Sequence, residues 1–340
     1  MERITMAHGS GGVSTGNLIG EIFAAELGNE YLNQMEDSTV VPAEGEQLAL
    51  TTDSFVVTPV EFPGGDIGRL SVCGTVNDLL MSGARPAYLT CGFILEEGLP
   101  IETLRRIVRS MADTAREAGV LVAAGDTKVV ENHSGPDGGL IINTAGVGFL
   151  LTGQNKLSPQ CIREGDVVLL SGNLGDHHAA ILGRRMGLEN RIQSDNAPLG
   201  EMVQAILDSG AEVHEMRDVT RGGLATVLNE FAQGAGKIIT LREDCLPVSE
   251  EVKGFAGILG LDPLYMGNEG KMICIVPETD AEKALAAMKN SRYGEHAAII
   301  GRVTQPQEKE GERPVLLIQT AFGGRRVVGP LYGEGLPRIC

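Results

Sequence analysis

The chain has 340 residues, 42% of them hydrophobic, with 46 glycines and no tryptophan, and its 45 acidic against 28 basic residues give a net charge of −17. That length calls for about two domains, and the acidic balance argues against nucleic acid or an anionic membrane as the main partner. No segment approaches the ~18 apolar residues of a membrane span, and the opening Met1–His8 has no signal-peptide core, so a cytoplasmic protein is expected.

His8-Gly9-Ser10-Gly11-Gly12 offers backbone N–H groups that can close over phosphates, ahead of Ser14, Thr15 and Asn17 at a helix start. Glycine-rich ends read equally well as plain disordered termini. Apolar and β-branched runs predict strands over 48–57 and 87–95. Between them, 66–84 has helical spacing, with Ile67, Leu70, Val72, Val76, Leu79 and Leu80 on a broad apolar face and Pro86 closing the helix. A second helix over 100–118 starts on Pro100 and stops at Gly119. Strands over 120–124 and 140–150 follow.

The polar stretch 152–163, with Pro159, marks a boundary between an N-terminal domain, 1–155, and a C-terminal domain, 156–330; residues 331–340 form a flexible tail. The second domain mixes helices near 176–186, 199–209, 222–233, 248–259 and 280–289 with strands near 166–170, 237–241, 271–276, 297–303 and 314–320. Without a regular βα repeat, α+β describes both halves better than a doubly wound sheet.

The chain contains no G-x-x-x-x-G-K-[ST] loop and no G-x-G-x-x-G between a strand and a helix, so a nucleotide site must be built otherwise. Asp37, Asp53, Asp78 and Asp126 stand at strand ends or polar breaks. Magnesium suits such a set, because it takes a few carboxylates and completes its shell with water and phosphate oxygens. Asp78 is the most telling, since an unpaired carboxylate inside an apolar helix is costly; a surface or capping aspartate is the plain alternative. Lys128 suits a phosphate as a point charge and suits solvent equally.

Leu174–His178 and Arg217–Leu224, the latter including Asp218, place polar residues before apolar helices, as anion-friendly N-termini or ordinary caps. Adjacent His177 and His178 point about 100° apart on a helix and lack a third ligand, which discounts zinc. Glu269, in Asn268-Glu269-Gly270, is either a base at a strand mouth or a turn residue in solvent. The cysteines Cys73, Cys91, Cys161, Cys245 and Cys274 are scattered without a Cys-x-x-Cys pair and read as reduced thiols. Cys340 differs. It ends the chain on a tail with Gly333, Gly335, Pro337 and Arg338, built to swing a sulfur into a distant pocket.

Glu36-Asp37-Ser38, Thr52-Asp53-Ser54, Asn77-Asp78 running to Gly83-Ala84-Arg85-Pro86, Ala124-Gly125-Asp126-Thr127-Lys128 and Asp218-Val219-Thr220-Arg221-Gly222-Gly223 together resemble the ATP-dependent superfamily of aminoimidazole ribonucleotide (AIR) synthetase, selenophosphate synthetase and thiamine-phosphate kinase. With His8–Gly12, Gly175-Asp176-His177, Asn268-Glu269-Gly270 and Pro337-Arg338-Ile339-Cys340 added, the whole chain resembles the HypE family of [NiFe]-hydrogenase maturation proteins. His178 departs from the pattern, where many of that family carry glycine.

The resemblance implies a two-domain AIR synthetase-like α+β fold and a homodimer sharing N-terminal β-structure. It implies ATP bound around Gly11, Gly12, Asp53, Asn77, Asp78, Asp126, Thr127 and Lys128, with Mg2+ held by Asp37, Asp53, Asp78, Asp126 and Asp218. It further implies that HypF carbamoylates Cys340 and that ATP-driven dehydration converts the product to a thiocyanate, with Lys128 and Glu269 as candidates for deprotonating nitrogen or polarising the carbamoyl group. The cyanide then passes to iron on a HypC–HypD complex. Competing readings are a small-molecule synthetase or kinase of the same fold, a scaffold whose tail only docks, and redox use of Cys340.

Overall fold

The computed structural model describes residues 3–5, 8, 17–34, 47–135, 137–150, 157–306, 313–331, 336 and 338–340. Asp37, Gly11 and Gly12 lie outside the described residues. The chain divides into two compact units, one of residues 1–79, 84–152 and 338–340, the other of 80–83 and 153–337.

The first unit is built on a four-stranded sheet in the order β1-β6-β4-β5. Its strands are β1 (Gln47–Phe55), β4 (Arg85–Glu96), β5 (Leu121–Val130) and β6 (Leu140–Leu150), and a two-residue hairpin pairs β2 (Glu61–Phe62) with β3 (Gly65–Asp66). Helices α1 (Ile67–Met81) and α2 (Ile101–Ala118) contribute buried apolar residues to its core. Asp66 caps α1 by accepting from the N–H groups of Gly68 and Arg69. A further helical stretch runs through Ile19–Ala24 into Ala25–Leu27.

Two sequence expectations change here. α1 ends at Met81 and turns on Gly83, while Pro86 sits inside β4, where the ladder to β6 shifts register between Pro86 and Tyr88. A bulge tolerates a residue without an N–H, so the proline interrupts a strand edge and not the helix. β5 is twice its expected length, because it pairs in parallel with β4 as far as Glu96 and Val130. Asp126 therefore lies within a strand and not at its end.

The sheet has two unlike faces. Thr51, Asp53 and Phe55 alternate toward the helices; Leu48, Leu50, Thr52 and Ser54 alternate away from them. The outward row continues across the ladders through Leu50, Val147, Tyr88 and Leu121. Leu50 is 73% and Leu48 56% exposed in the single chain, with Leu121, Ile94 and Val130 also exposed.

The second unit holds a seven-stranded sheet in the order β13-β12-β9-β11-β7-β10-β8. In chain order its elements are β7 (Asp166–Leu170), α3 (Asp176–Met186), α4 (Gly200–Asp208), β8 (Glu215–Asp218), α5 (Gly223–Ala235), β9 (Ile238–Arg242), α6 (Glu250–Leu259), β10 (Met272–Pro277), α7 (Ala281–Asn290), β11 (Ala298–Thr304), β12 (Val315–Gln319) and β13 (Arg325–Val327). Its core joins Leu224, Leu228 and Phe231 of α5 to Val168, Leu170, Ile273 and Ile275 of the central strands. Among the described residues no helix is long and apolar enough to cross a membrane, and no cysteine is in a disulfide.

Candidate functional site

In the first unit, β1 and α1 bring two of the expected carboxylates to one interface. Thr51 Oγ1 donates to Asp78 Oδ2 at 2.8 Å. Two residues along the same face of β1, Asp53 lies against Gly74, one helical turn before Asp78. A Cβ at position 74 would stand 3.4 Å from Asp53 Oδ2 and 2.8 Å from the Phe55 ring. Glycine at 74 therefore lets the strand seat close to the helix, with Asp53 facing the helical turn that precedes Asp78. Asp53 Oδ1 accepts from the Ser54 N–H at 2.8 Å, and Asn77 is buried beside Asp78.

Asp126 and Lys128 are elsewhere. Asp126 is in register with Gly92, Asn143 and Ser54 across the sheet, so it stands three strands from β1, about 14 Å. It also belongs to the outward face, and alternation turns Thr127 to the opposite side. Lys128 Nζ pairs with Asp126 Oδ1 at 3.0 Å, both side chains being largely exposed, and this lysine holds the Asp126 carboxyl below its usual range. Among the described residues of one chain, no three metal-ligating side chains come together. Asp126 thus lies on the opposite face of the sheet from Asp53 and Asp78, Asp218 ends β8 in the second unit, and Asp37 lies outside the described residues.

The chain's end lies on the first unit. Val56 N–H donates to the backbone oxygen of Cys340 at 3.0 Å and Thr58 N–H to that of Arg338 at 3.2 Å, while Arg338 Nε donates to Val56 O at 3.1 Å. Ile339 between them is buried. Val56 follows Asp53 by three residues, about 10 Å of extended chain.

In the second unit, Asn268 draws three expected segments together. Its Oδ1 accepts from Gly175 N–H at 2.7 Å, at the start of α3, and its Nδ2 donates to Val219 O at 2.9 Å, next to Asp218, and to Met266 O at 3.2 Å. Glu269 follows it and is buried, which removes the reading of a turn glutamate in solvent. His178 fits the helix start as a neutral acceptor: Gly267 N–H donates to its Nδ1, and burial pushes its pKa down to about 4.

Sequence reasoning missed Asp195, which pairs with Lys271 at 3.1 Å, both nearly buried. Burial and the Asp195 carboxylate push Asp176 up to about 6, against the pull of Lys271. The only sequence signal for Asp195 is a polar connection, Ser194-Asp195-Asn196, leading into Ala197-Pro198-Leu199.

The family models of AIR synthase related proteins match residues 35–150 as the N-terminal domain and 163–312 as the C-terminal domain. Carbamoyl dehydratase HypE of Azotobacter vinelandii is 48% identical over 339 residues, covering 99% of this chain and 97% of that protein. A crystal structure of the hydrogenase maturation protein HypE in complex with ATP superposes with a TM-score of 0.93 at 45% identity, covering 98% of this chain and 99% of the other. A HypE–HypF complex structure contains a chain that matches with a TM-score of 0.78 at 44% identity, over 92% of this chain and 99% of that one. Two AIR synthase related domains in the expected order, and HypE relatives matched over nearly the whole of both chains, place this chain in the HypE family.

Proposed function

We propose that this chain is an ATP-dependent carbamoyl dehydratase that acts on its own terminal cysteine during [NiFe]-hydrogenase maturation. The observation that carries this is the position of Cys340, which rests on the segment following the strand of Asp53. The likeness to carbamoyl dehydratases, to a HypE structure with ATP and to a HypE–HypF complex supports the same reading.

The starting group is a thiocarbamate, Cys340 S–C(=O)NH2, made by HypF. An amide oxygen is a poor leaving group and phosphate a good one, which is the chemical need for ATP. The carbamoyl oxygen attacks the γ-phosphorus, forming an O–P bond as the bond to ADP breaks. Nitrogen then loses two protons, the C–O bond breaks to release phosphate, and S–C≡N remains. Buried Glu269 is the candidate base and Lys128 the candidate cation for the carbamoyl or phosphoryl oxygens. The nitrile carbon is then open to attack with thiolate as leaving group, which suits delivery of cyanide to iron on HypC–HypD.

Asp53 on β1 and Asp78 on the facing helix α1, both oxygen donors, fit a hard cation that keeps most of its shell as water and phosphate oxygen. When bound, magnesium spreads the charge of the transferring phosphoryl group. Thr51 orients Asp78 for that role. A homodimer closing the outward sheet face accounts for Leu48 and Leu50 and brings Asp126 and Lys128 into an interface. Six cysteines without a disulfide agree with a cytoplasmic setting.

The test is intact mass of the C-terminal peptide after incubation with the carbamoyl donor system and Mg-ATP. Carbamoyl addition followed by loss of one water is expected, both absent in Cys340→Ala. ATP hydrolysis without water loss overturns the reading, and turnover that survives deletion of residues 336–340 favours a small-molecule kinase or synthetase.

A further inference from the structure

We infer that Asp195 is a positioning residue for Glu269, holding the main chain that presents the base. The inference rests on the role given to Glu269 above. Asp195 lies in the connection between α3 and α4, and its side chain is 2% exposed. Oδ1 accepts from the Glu269 N–H at 3.2 Å, and Oδ2 accepts from the Gly270 N–H at 3.3 Å. The same Oδ2 meets Lys271 Nζ at 3.1 Å, and that ammonium also donates to Gly270 O at 3.3 Å. The Ala197 N–H donates to Glu269 O at 3.4 Å. One segment, 195–197, thus engages both main-chain groups of Glu269.

The fit is close enough to dictate a residue type. A methyl group at position 270 would overlap the Asp195 carbonyl oxygen and stand 2.9 Å from Ala197 N, so only glycine lets the two segments meet. Asn268 anchors the preceding residue to the start of α3 and to Val219. Glu269 is therefore fixed from both sides at a turn, where side-chain aim follows the backbone. An ion pair by itself is weak evidence of stabilisation, since a buried pair often exchanges for apolar groups at little cost. What a carboxylate adds here is two acceptor oxygens aimed at successive N–H groups. Asparagine keeps the shape but turns a donor toward one of its three partners.

The experiment uses the full chain, carbamoylated at Cys340, with Mg-ATP, and measures phosphate release, KM for ATP and Tm. The double variant Asp195→Asn/Lys271→Met removes both charges of the buried pair together. It is expected to melt near the wild type while kcat falls about 10–100-fold and KM for ATP stays the same, because misplacing a catalytic group costs rate and not ATP binding. Wild-type kcat in that variant overturns the proposal. Lys271→Gln, which keeps the carboxylate clamp, is expected to hold kcat within about threefold; a loss equal to the double variant's overturns it too. Hydrogen exchange at the Glu269 and Gly270 amides provides an arm independent of turnover. Faster exchange is expected in the double variant, and unchanged protection refutes the clamp even if the wild type proves to have no dehydratase activity.

Discussion

Replacing Ile339 by alanine tests whether the terminal segment is held loosely enough to travel. Hydrogen bonds join 338–340 to Val56 and Thr58, among them the three described above, and Ile339 is 4% exposed. The bonds contribute about 3 kcal/mol net and burial of the isoleucine about 2 kcal/mol. Ordering three residues costs about 4 kcal/mol. On these contributions docking is favourable by ~1 kcal/mol, and the docked end outnumbers the released one about fivefold. Ile339→Ala removes roughly 2 kcal/mol and makes the released state the majority. Alkylation of Cys340 by a small maleimide should quicken about fivefold, the ratio of released fractions. The Val56 and Thr58 amides should lose a protection that is only a few-fold in the wild type. Unchanged alkylation, or strong wild-type protection at both amides that survives the substitution, would show the docking energy to be misjudged.

Thr51→Val removes the donor on Asp78 and should weaken Mg-ATP binding about tenfold, worth ~1.4 kcal/mol; equal affinity by calorimetry counts against a role for Thr51. Leu50→Asp places a charge on the outward sheet face and should give monomers by light scattering, whereas persistent dimers locate the interface elsewhere. His178 is held neutral down to about pH 4, so the folded state binds fewer protons than the unfolded one between pH 4 and 6.5, and stability falls as pH drops through that window. His178→Gln should flatten this slope in melting curves taken at pH 7 and pH 5. Glu215, which burial raises to about 7, works in the opposite sense: its contribution is present below about pH 4.5 and lost as pH rises through 7. Glu215→Gln should therefore raise Tm at pH 8 and not at pH 5.

The fold was legible wherever apolar periodicity was long, as in Leu140–Leu150, Asp166–Leu170 and Asp176–Met186, whose observed bounds equal the expected ones. It was obscure where pairing overrides composition. Glu215-Met216-Arg217-Asp218 has three charges in four residues and becomes an edge strand because β10 pairs with it. The continuation of β5 through Asp126 and Lys128 was hidden because charged residues alternate there on an outward face. Asp78 could be singled out as a carboxylate inside an apolar helix, and Thr51 could not, since its partner lies 27 residues away and only the strand–helix contact joins them. Asp195 lay in a connection without periodicity, and its importance comes wholly from the backbone it touches.

The four-stranded sheet acts as a partition. It keeps the Asp53–Asp78 edge on one side and the Asp126–Lys128 pair on the other, and no rotamer change within a chain carries either group around it. If phosphoryl transfer requires both, a solitary chain is inert. Specific activity would then depend on dilution, falling as protein concentration passes below the dimer dissociation constant, and expression level in the cell would set turnover per molecule as well as the number of molecules.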